Sequence, residues 1–287
     1  MVDRRKPEWL KSKQIPTEEE RRVRHLMKNL HLNTVCREAR CPNRTECFNR
    51  GTATFLIMGD TCTRRCRFCN VNKGIPQPLD PAEPGHVAEA VKTLGLKYVV
   101  ITSVTRDDLP DGGAVHFARV IQAVRGMKSD VGIEVLIPDF KGDVSALEQV
   151  LEAGPDVLNH NVETVPRLYS RVRPGALFER SLDVLKRAKA HNPSIMTKSG
   201  LMAGLGETDD ELYQVFAELR KAGCDLLTVG QYLAPTKEHY PVAEYIPPER
   251  FEAYRAKALE MGFSDAACGP LVRSSYKAGE MFRGCSL

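Results

Sequence analysis

Residues 55–69 read Phe55-Leu56-Ile57-Met58-Gly59-Asp60-Thr61-Cys62-Thr63-Arg64-Arg65-Cys66-Arg67-Phe68-Cys69. The first four residues are apolar, the length of a short buried strand, and Gly59-Asp60 ends them with a turn signal. Three thiols, Cys62, Cys66 and Cys69, then follow on the loop leaving that strand, in a CxxxCxxC pattern. Thiolates hold iron–sulfur clusters. Three thiolates on a four-iron cluster leave one iron without a protein ligand, and an open position is what separates a reactive metal site from a structural one. Arg64, Arg65 and Arg67 favour an anionic cluster and are expected to depress the thiol pKa values. Zinc sites pair two CxxC-like halves or add histidine, and no His lies between Phe55 and His86.

Downstream of this loop the chain falls into a rhythm. Apolar strand-like runs at 55–58, 98–102, 133–137, 157–161, 195–199 and 226–229 alternate with helical patterns at 87–94, 115–125, 144–151, 177–190 and 209–222. Six strands alternating with helices predict βαβ units and a parallel sheet, an α/β fold. The sheet either closes into a full or partial barrel or lies open. No GxGxxG follows the first strand, which weakens the open nucleotide-binding alternative. In α/β barrels chemistry sits on the loops at the C-terminal ends of strands, where the cysteine loop lies.

Upstream, 1–50 reads as an N-terminal extension. Thr17 before Glu18-Glu19-Glu20 marks a helix start that should run to about residue 30. The Cys-, Pro- and Asn-rich stretch 36–50 is expected as loop and carries Cys36, Cys41 and Cys47 in a CxxxxCxxxxxC pattern. That spacing fits no trusted zinc pattern, and the stretch is too polar for three core cysteines, so a second iron–sulfur cluster is the simplest reading. Its fourth ligand is open: Cys268, Cys285 or a hydroxyl in Arg273-Ser274-Ser275-Tyr276 all qualify, while Cys224 reads as a core thiol. The C-terminal part, 233–287, should add a helix over 248–261 and an irregular end.

The 287 residues carry nine cysteines, 42% hydrophobic and 27% charged residues, and a formal net charge of +4. Length and composition suit a soluble globular chain with a real core. Clustered cysteines in odd number suit metal binding better than disulfides. No apolar run approaches the length of a membrane span, and the charged first residues show no secretory or transit signal, so no membrane partner and a cytoplasmic location are expected. The basic, aromatic-interleaved surface of an RNA-binding protein is absent, so no nucleic acid partner is expected.

CxxxCxxC after a first strand resembles the radical S-adenosylmethionine (SAM) superfamily. The resemblance implies a partial (β/α)6 barrel over 51–232, flanked by the extensions 1–50 and 233–287. It also implies a [4Fe–4S] cluster on Cys62, Cys66 and Cys69 whose open iron chelates SAM, so that the reduced cluster cleaves SAM to a 5′-deoxyadenosyl radical. The two triplets together with Arg273-Ser274-Ser275-Tyr276 resemble the lipoyl synthase family. So do the stretches Thr102–Gly113, Asn159–Thr164 and Lys198–Glu207.

That family resemblance implies sulfur insertion at C6 and C8 of an octanoyl chain on a lysine of a lipoyl carrier domain. It implies an auxiliary [4Fe–4S] cluster, the sulfur source, on Cys36, Cys41, Cys47 and Ser275, with Ser274 the second choice. An electron donor such as a flavodoxin or ferredoxin would be the redox partner. No catalytic side chain beyond the cluster ligands is implied. Ser103, Thr105, Asn161, Glu163 and Lys198 stand at strand ends and are the candidate SAM contacts, with Glu163 on the ribose hydroxyls and Lys198 on a carboxylate. Gly200, Gly204 and Gly206 would allow close backbone approach to adenine. Asp107, Asp108 and Asp111 suit either this site or a loop capping the next helix, and His160 reads as a packed histidine. The basic face 21–28 suits solvent or docking of an acidic carrier. The alternatives are another radical SAM sulfur-inserting or methylthiolating enzyme, acting on dethiobiotin or tRNA, and a non-catalytic iron–sulfur electron carrier. Neither needs this whole set: 230–287 is short for an RNA-binding module, and a carrier needs no open iron.

Overall fold

The computed structural model describes residues 6–11 and 15–285; the two ends of the expected extensions, 1–5 and 286–287, and residues 12–14 lie outside it. Helix α1 (Glu18–Asn29) starts where Thr17 accepts the Glu20 amide, with Glu18, Glu19 and Glu20 at its positive end. Arg22 and Arg24 on its basic face pair with Glu19 and Glu20. Strand β1 (Asn33–Thr34) follows, then α2 (Val35–Glu38) and α3 (Arg44–Asn49), where a loop was expected. Helices of one or two turns are too short to show an apolar period, so the sequence pattern was silent there.

Strand β2 (Thr54–Ile57) opens the main sheet, and β3 (Thr61–Cys62) and β4 (Asn72–Lys73) form a small ladder across the cysteine loop. The alternation then runs α4 (Glu83–Thr93), β5 (Tyr98–Ser103), α5 (Ala114–Met127), β6 (Gly132–Leu136), α6 (Val144–Glu152), β7 (Val157–Asn159), the one-turn α7 (Tyr169–Val172), α8 (Phe178–His191), β8 (Met196–Ala203), α9 (Asp209–Lys221), β9 (Leu226–Gln231), α10 (Pro248–Glu260), β10 (Asp265–Gly269) and α11 (Ala278–Cys285). The six expected strands and their helices are present. Strand β8 runs past the expected 199 to Ala203, and β7 stops short of 161 at Asn159.

The sheet order is β1-β2-β5-β6-β7-β8-β9-β10. Every neighbouring pair is parallel except β1 with β2. Strand β10 corrects the irregular end expected there: Asp265-Ala266-Ala267-Cys268-Gly269 has no β-branched residue, so propensity gave no signal, and pairing with β9 holds it. The helices cover the outside of the sheet. Phe117, Val120 and Ile121 of α5 and Leu147 and Val150 of α6 belong to one buried cluster, and Phe216, Leu219, Phe251 and Tyr254 of α9 and α10 to another.

The sheet ends at β1 and β10 without closing, so the barrel is partial. Residues 270–277, between β10 and α11, run inside its curve. Ser275 Oγ accepts a bond from Thr54 on β2 at 2.9 Å, and Ser274 Oγ accepts one from Asn161, beyond β7, at 3.3 Å. The Val272 carbonyl lies so close to Gly230 on β9 that a Cβ there would collide with its oxygen. Only a segment in the lumen reaches all three places. Gly230→Ala is therefore expected to push this segment off β9 and to cost about 1–3 kcal/mol, the usual range for overpacking, in denaturant unfolding. Unchanged stability would show that the segment yields freely.

Candidate functional site

The C-terminal ends of the strands surround a cavity of about 620 Å³. Cys62, Cys66 and Cys69 face it from one side, Cys36 and Cys41 from another, and Val272–Ser275 form part of the wall. Cys47 is not in the lining, yet the charges of Cys36 and Cys41 both act on its thiol, so this triplet also converges. Among the described residues no three His, Cys, Asp or Glu side chains gather around a single-ion point. Thiolates that each hold a different iron stand farther apart than ligands sharing one ion.

The first cysteine loop is fixed by its backbone. Thr63 donates both its amide and its hydroxyl to the Thr105 carbonyl, at 3.1 and 2.9 Å, and the Thr105 amide donates to Cys62 Sγ at 3.3 Å. The Arg67 amide donates to Val172, the Tyr240 amide to the Arg67 carbonyl, and His239 Nε2 lies 3.1 Å from the Cys69 carbonyl oxygen. Neighbouring strand ends and the chain after β9 therefore hold the loop in one shape.

The flanking arginines do not act as expected on the thiols. Burial pushes Cys36 up to about 11 and Cys47 and Cys69 up to about 12, and it also raises Cys41 and Cys66. Arg64 is occupied elsewhere: it binds Asp107 at 2.8 and 3.0 Å and Asp139 at 2.5 Å. Burial alone would raise the Asp139 carboxyl, but Arg64 outweighs it and holds it at about 2. The cation that acts most on Cys66 is Arg173, which is buried, caps the Asn161 carbonyl at 3.0 Å and stacks over Tyr169. Local pattern does not single out Arg173, because its approach depends on the turn after α7. Desolvation exceeds these charges until a metal replaces the protons.

Ser103, Thr105, Asn161 and Glu163 all line the cavity. Ser103 Oγ and Asn161 Oδ1 are buried without a hydrogen-bond partner, which an incoming polar ligand would supply. Glu163 holds a left-handed backbone (φ 66°), costly for a side chain and typical of functional walls. Burial raises its carboxyl, and Arg173 and Asn161 pull it back. Gly200 leaves the space into which Thr228 and Asn161 point: a Cβ would stand 2.6 Å from one oxygen and 2.8 Å from the other.

Lys198 is not brought to the cavity. Its ammonium is buried and binds Glu134 at 3.0 and 3.2 Å, while the same carboxylate accepts from Tyr98 and Asn159. Lys198 stands nearer the strand's start than Gly200, so it belongs to a lower layer of the lumen. The expected contact with a ligand carboxylate is corrected accordingly. Asp107 and Asp108 bind Arg64 and Arg106, and Asp111 accepts the Gly113 and Val115 amides at the start of α5.

Residues 56–219 match the Radical SAM superfamily. "Lipoyl synthase" of Caldanaerobacter subterraneus subsp. tengcongensis is 58% identical over 96% of this chain and 96% of that protein. "Lipoyl synthase" of Syntrophotalea carbinolica is 57% identical over 95% of this chain and 89% of that protein. The chain belongs to the lipoyl synthase family. Solved structures at low identity share the fold. Methylornithine synthase (PylB) has a TM-score of 0.54 at 16% identity, over 86% of this chain and 74% of that one. Streptococcus suis SuiB bound to S-adenosylmethionine has 0.56 at 12%, over 76% and 52%. As a family member the chain is a radical SAM sulfur-inserting enzyme that uses SAM and a [4Fe–4S] cluster.

Two links join the cysteine-bearing N-terminal segment to the strap inside the barrel, and sequence reasoning missed both. Asn43 donates to the Leu271 carbonyl at 2.6 Å, and Tyr276 donates to Glu46 at 2.9 Å. Partners this far apart leave no trace in local pattern.

His160 has both ring nitrogens engaged, Nδ1 at 2.8 Å from the Ile137 carbonyl and Nε2 at 3.1 Å from Ser181 Oγ. Burial, aided by Arg173, holds it down at about 4 against an ordinary 6.5. Between those values the unfolded chain takes up a proton that the folded chain refuses, so stability falls as pH drops through the window. Wild type should lose about 3 kcal/mol more than His160→Gln between about pH 7 and pH 4, read by denaturant unfolding at each pH. Parallel curves for the two proteins would contradict this.

Proposed function

We propose that this chain inserts sulfur at C6 and C8 of an octanoyl group carried on a lysine of a lipoyl carrier domain, with a low-potential carrier such as a flavodoxin or ferredoxin as electron donor. The observation that carries this reading is that thiols of both triplets face one cavity, Cys36 and Cys41 of one and Cys62, Cys66 and Cys69 of the other, with a serine-bearing strap in its wall. The curated relatives' name agrees with it. We assign Cys62, Cys66 and Cys69 to the SAM cluster, and Cys36, Cys41, Cys47 and Ser275 to an auxiliary [4Fe–4S] cluster. When bound, these groups supply hydrogen abstraction from unactivated carbon and the sulfide to be inserted.

The chain's own residues hold, orient and enclose. Ser275 is favoured over Ser274 because it lies beside Thr54, next to Cys36, whereas Ser274 meets Asn161 on the SAM side. Ser103, Thr105, Asn161 and Glu163 are assigned to SAM: the two unpartnered oxygens there match a polar ligand, and the Glu163 carboxylate suits ribose hydroxyls. The apolar walls at Leu56, Leu136 and Leu201 suit an alkyl chain. In this reading 51–232 forms the radical SAM core, and 1–50 and 233–287 together build the auxiliary site. A serine oxygen is a harder ligand than thiolate and holds its iron less firmly, which suits a cluster that gives up sulfide.

The test uses anaerobically reconstituted protein with octanoylated lipoyl-domain peptide, SAM and a reductant. Wild type should hold about eight irons per chain and add two sulfurs to the peptide. Alanine at Cys62, Cys66 or Cys69 should stop SAM cleavage. Alanine at Cys36, Cys41, Cys47 or Ser275 should leave SAM cleavage and abolish sulfur insertion. About four irons in wild type, or SAM cleavage with no sulfur transfer, would point to a radical SAM enzyme of another kind.

A further inference from the structure

Thr54 is a buried hydroxyl at the start of an otherwise apolar strand, and no step described so far uses it. Its position follows from the sheet. Strand β1 pairs antiparallel with β2, with Thr34 opposite Phe55. Two residues past Thr34, the chain has turned into α2 and carries Cys36 back beside the start of β2. The Thr54 amide and hydroxyl both act on the Cys36 thiol, drawing it down against burial. The same hydroxyl donates to Ser275 Oγ at 2.9 Å. Ser275 makes no other side-chain hydrogen bond among the described residues, so its own proton and remaining lone pair are free for the cavity.

We propose that Thr54 is a positioning residue of the auxiliary site, its hydroxyl donating to Ser275 so that the serine can bind iron as an alkoxide. The proposal rests on the assignment of Ser275 made above. Serine must lose its proton to become a ligand, and a buried alkoxide needs a donor to be stable. Thr54 has one hydroxyl proton to give; Cys36 and Ser275 both lie within its reach, and the hydrogen bond it makes runs to Ser275 at 2.9 Å. Partners behind a metal ligand commonly account for about 10–100-fold in metal affinity. Arg273 stands on the other side of the same site, buried beside Cys41, with its guanidinium on the Val272 carbonyl. Its fixed charge favours an anionic cluster but cannot orient the serine lone pair, which a directed hydrogen bond does.

The experiment compares wild type with Thr54→Val, Thr54→Ala, Thr54→Ser and Ser275→Ala, each reconstituted with 57Fe. Two quantities are read: the rate at which a chelator strips the auxiliary irons, and the Mössbauer signature of the oxygen-ligated iron. SAM cleavage without peptide substrate reports whether the fold and the first cluster survive. Thr54→Val and Thr54→Ala should release auxiliary iron about tenfold faster and lose or shift the oxygen-ligated signature, with SAM cleavage kept. Thr54→Ser should match wild type, since it keeps the hydroxyl. If Ser275→Ala changes the signature but neither hydroxyl-free variant does, the role of Thr54 is wrong and the serine assignment stands. If Ser275→Ala changes nothing either, the serine assignment itself is wrong. Faster release in Thr54→Ser equal to that of Thr54→Val would mean the methyl packing matters rather than the hydroxyl, and would also overturn the proposal.

Discussion

The strap of residues 270–277 inside the curved sheet is the constraint on which the site depends. It leaves β10, passes close against Gly230, and reaches β2 through Ser275 and the segment beyond β7 through Ser274. The Asn43 and Tyr276 side chains tie it to α3, which carries Cys47, and to the loop before α3, which carries Cys41. The two ends of the chain thus meet in the lumen of a barrel built from the middle. Inside the partial barrel the strap presents hydrogen-bonding groups to β2 and to the segment beyond β7.

Burial and charge compete throughout this lumen, and burial prevails at the thiols. Five cysteines are raised although arginines stand close to several of them, because the desolvation of a buried thiolate outweighs those charges. Arg64 is spent on Asp107 and Asp139. The cation that acts most on Cys66 is Arg173 and the one that acts most on Cys41 is Arg273, both buried. Thiols that burial favours in the protonated form must release protons to bind iron, which would couple metal binding to pH.

The Lys198–Glu134 pair shows the same economy in another place. Two charges buried in the lower lumen are costly unless paired and fully hydrogen-bonded. Tyr98 and Asn159 complete that bonding around Glu134, and the aromatic ring of Tyr98 packs 5.4 Å from Phe282 on α11. The last helix therefore leans on the polar layer beneath the cavity, and the strap is anchored at both of its ends.

The sequence alone determined the parallel α/β sheet, because six apolar runs alternate with helical periods, and it placed three thiols together on the turn-rich loop after the first strand. Strand existence at β2, β5, β6, β7, β8 and β9 was legible for the same reason. Strand β10 and helices α2 and α3 were not: the first has no residues of strong strand propensity and the helices are too short to show a period. Lys198 was read as a ligand contact from its place on a strand, but depth along the strand, which local pattern does not encode, put it below the cavity. Which serine faces the cysteines, which arginine is free, and that Thr54, Asn43 and Glu46 touch the strap were decided only by tertiary structure. Each of those contacts joins residues from opposite ends of the chain, and the curvature of the sheet that brings them together belongs to no single segment.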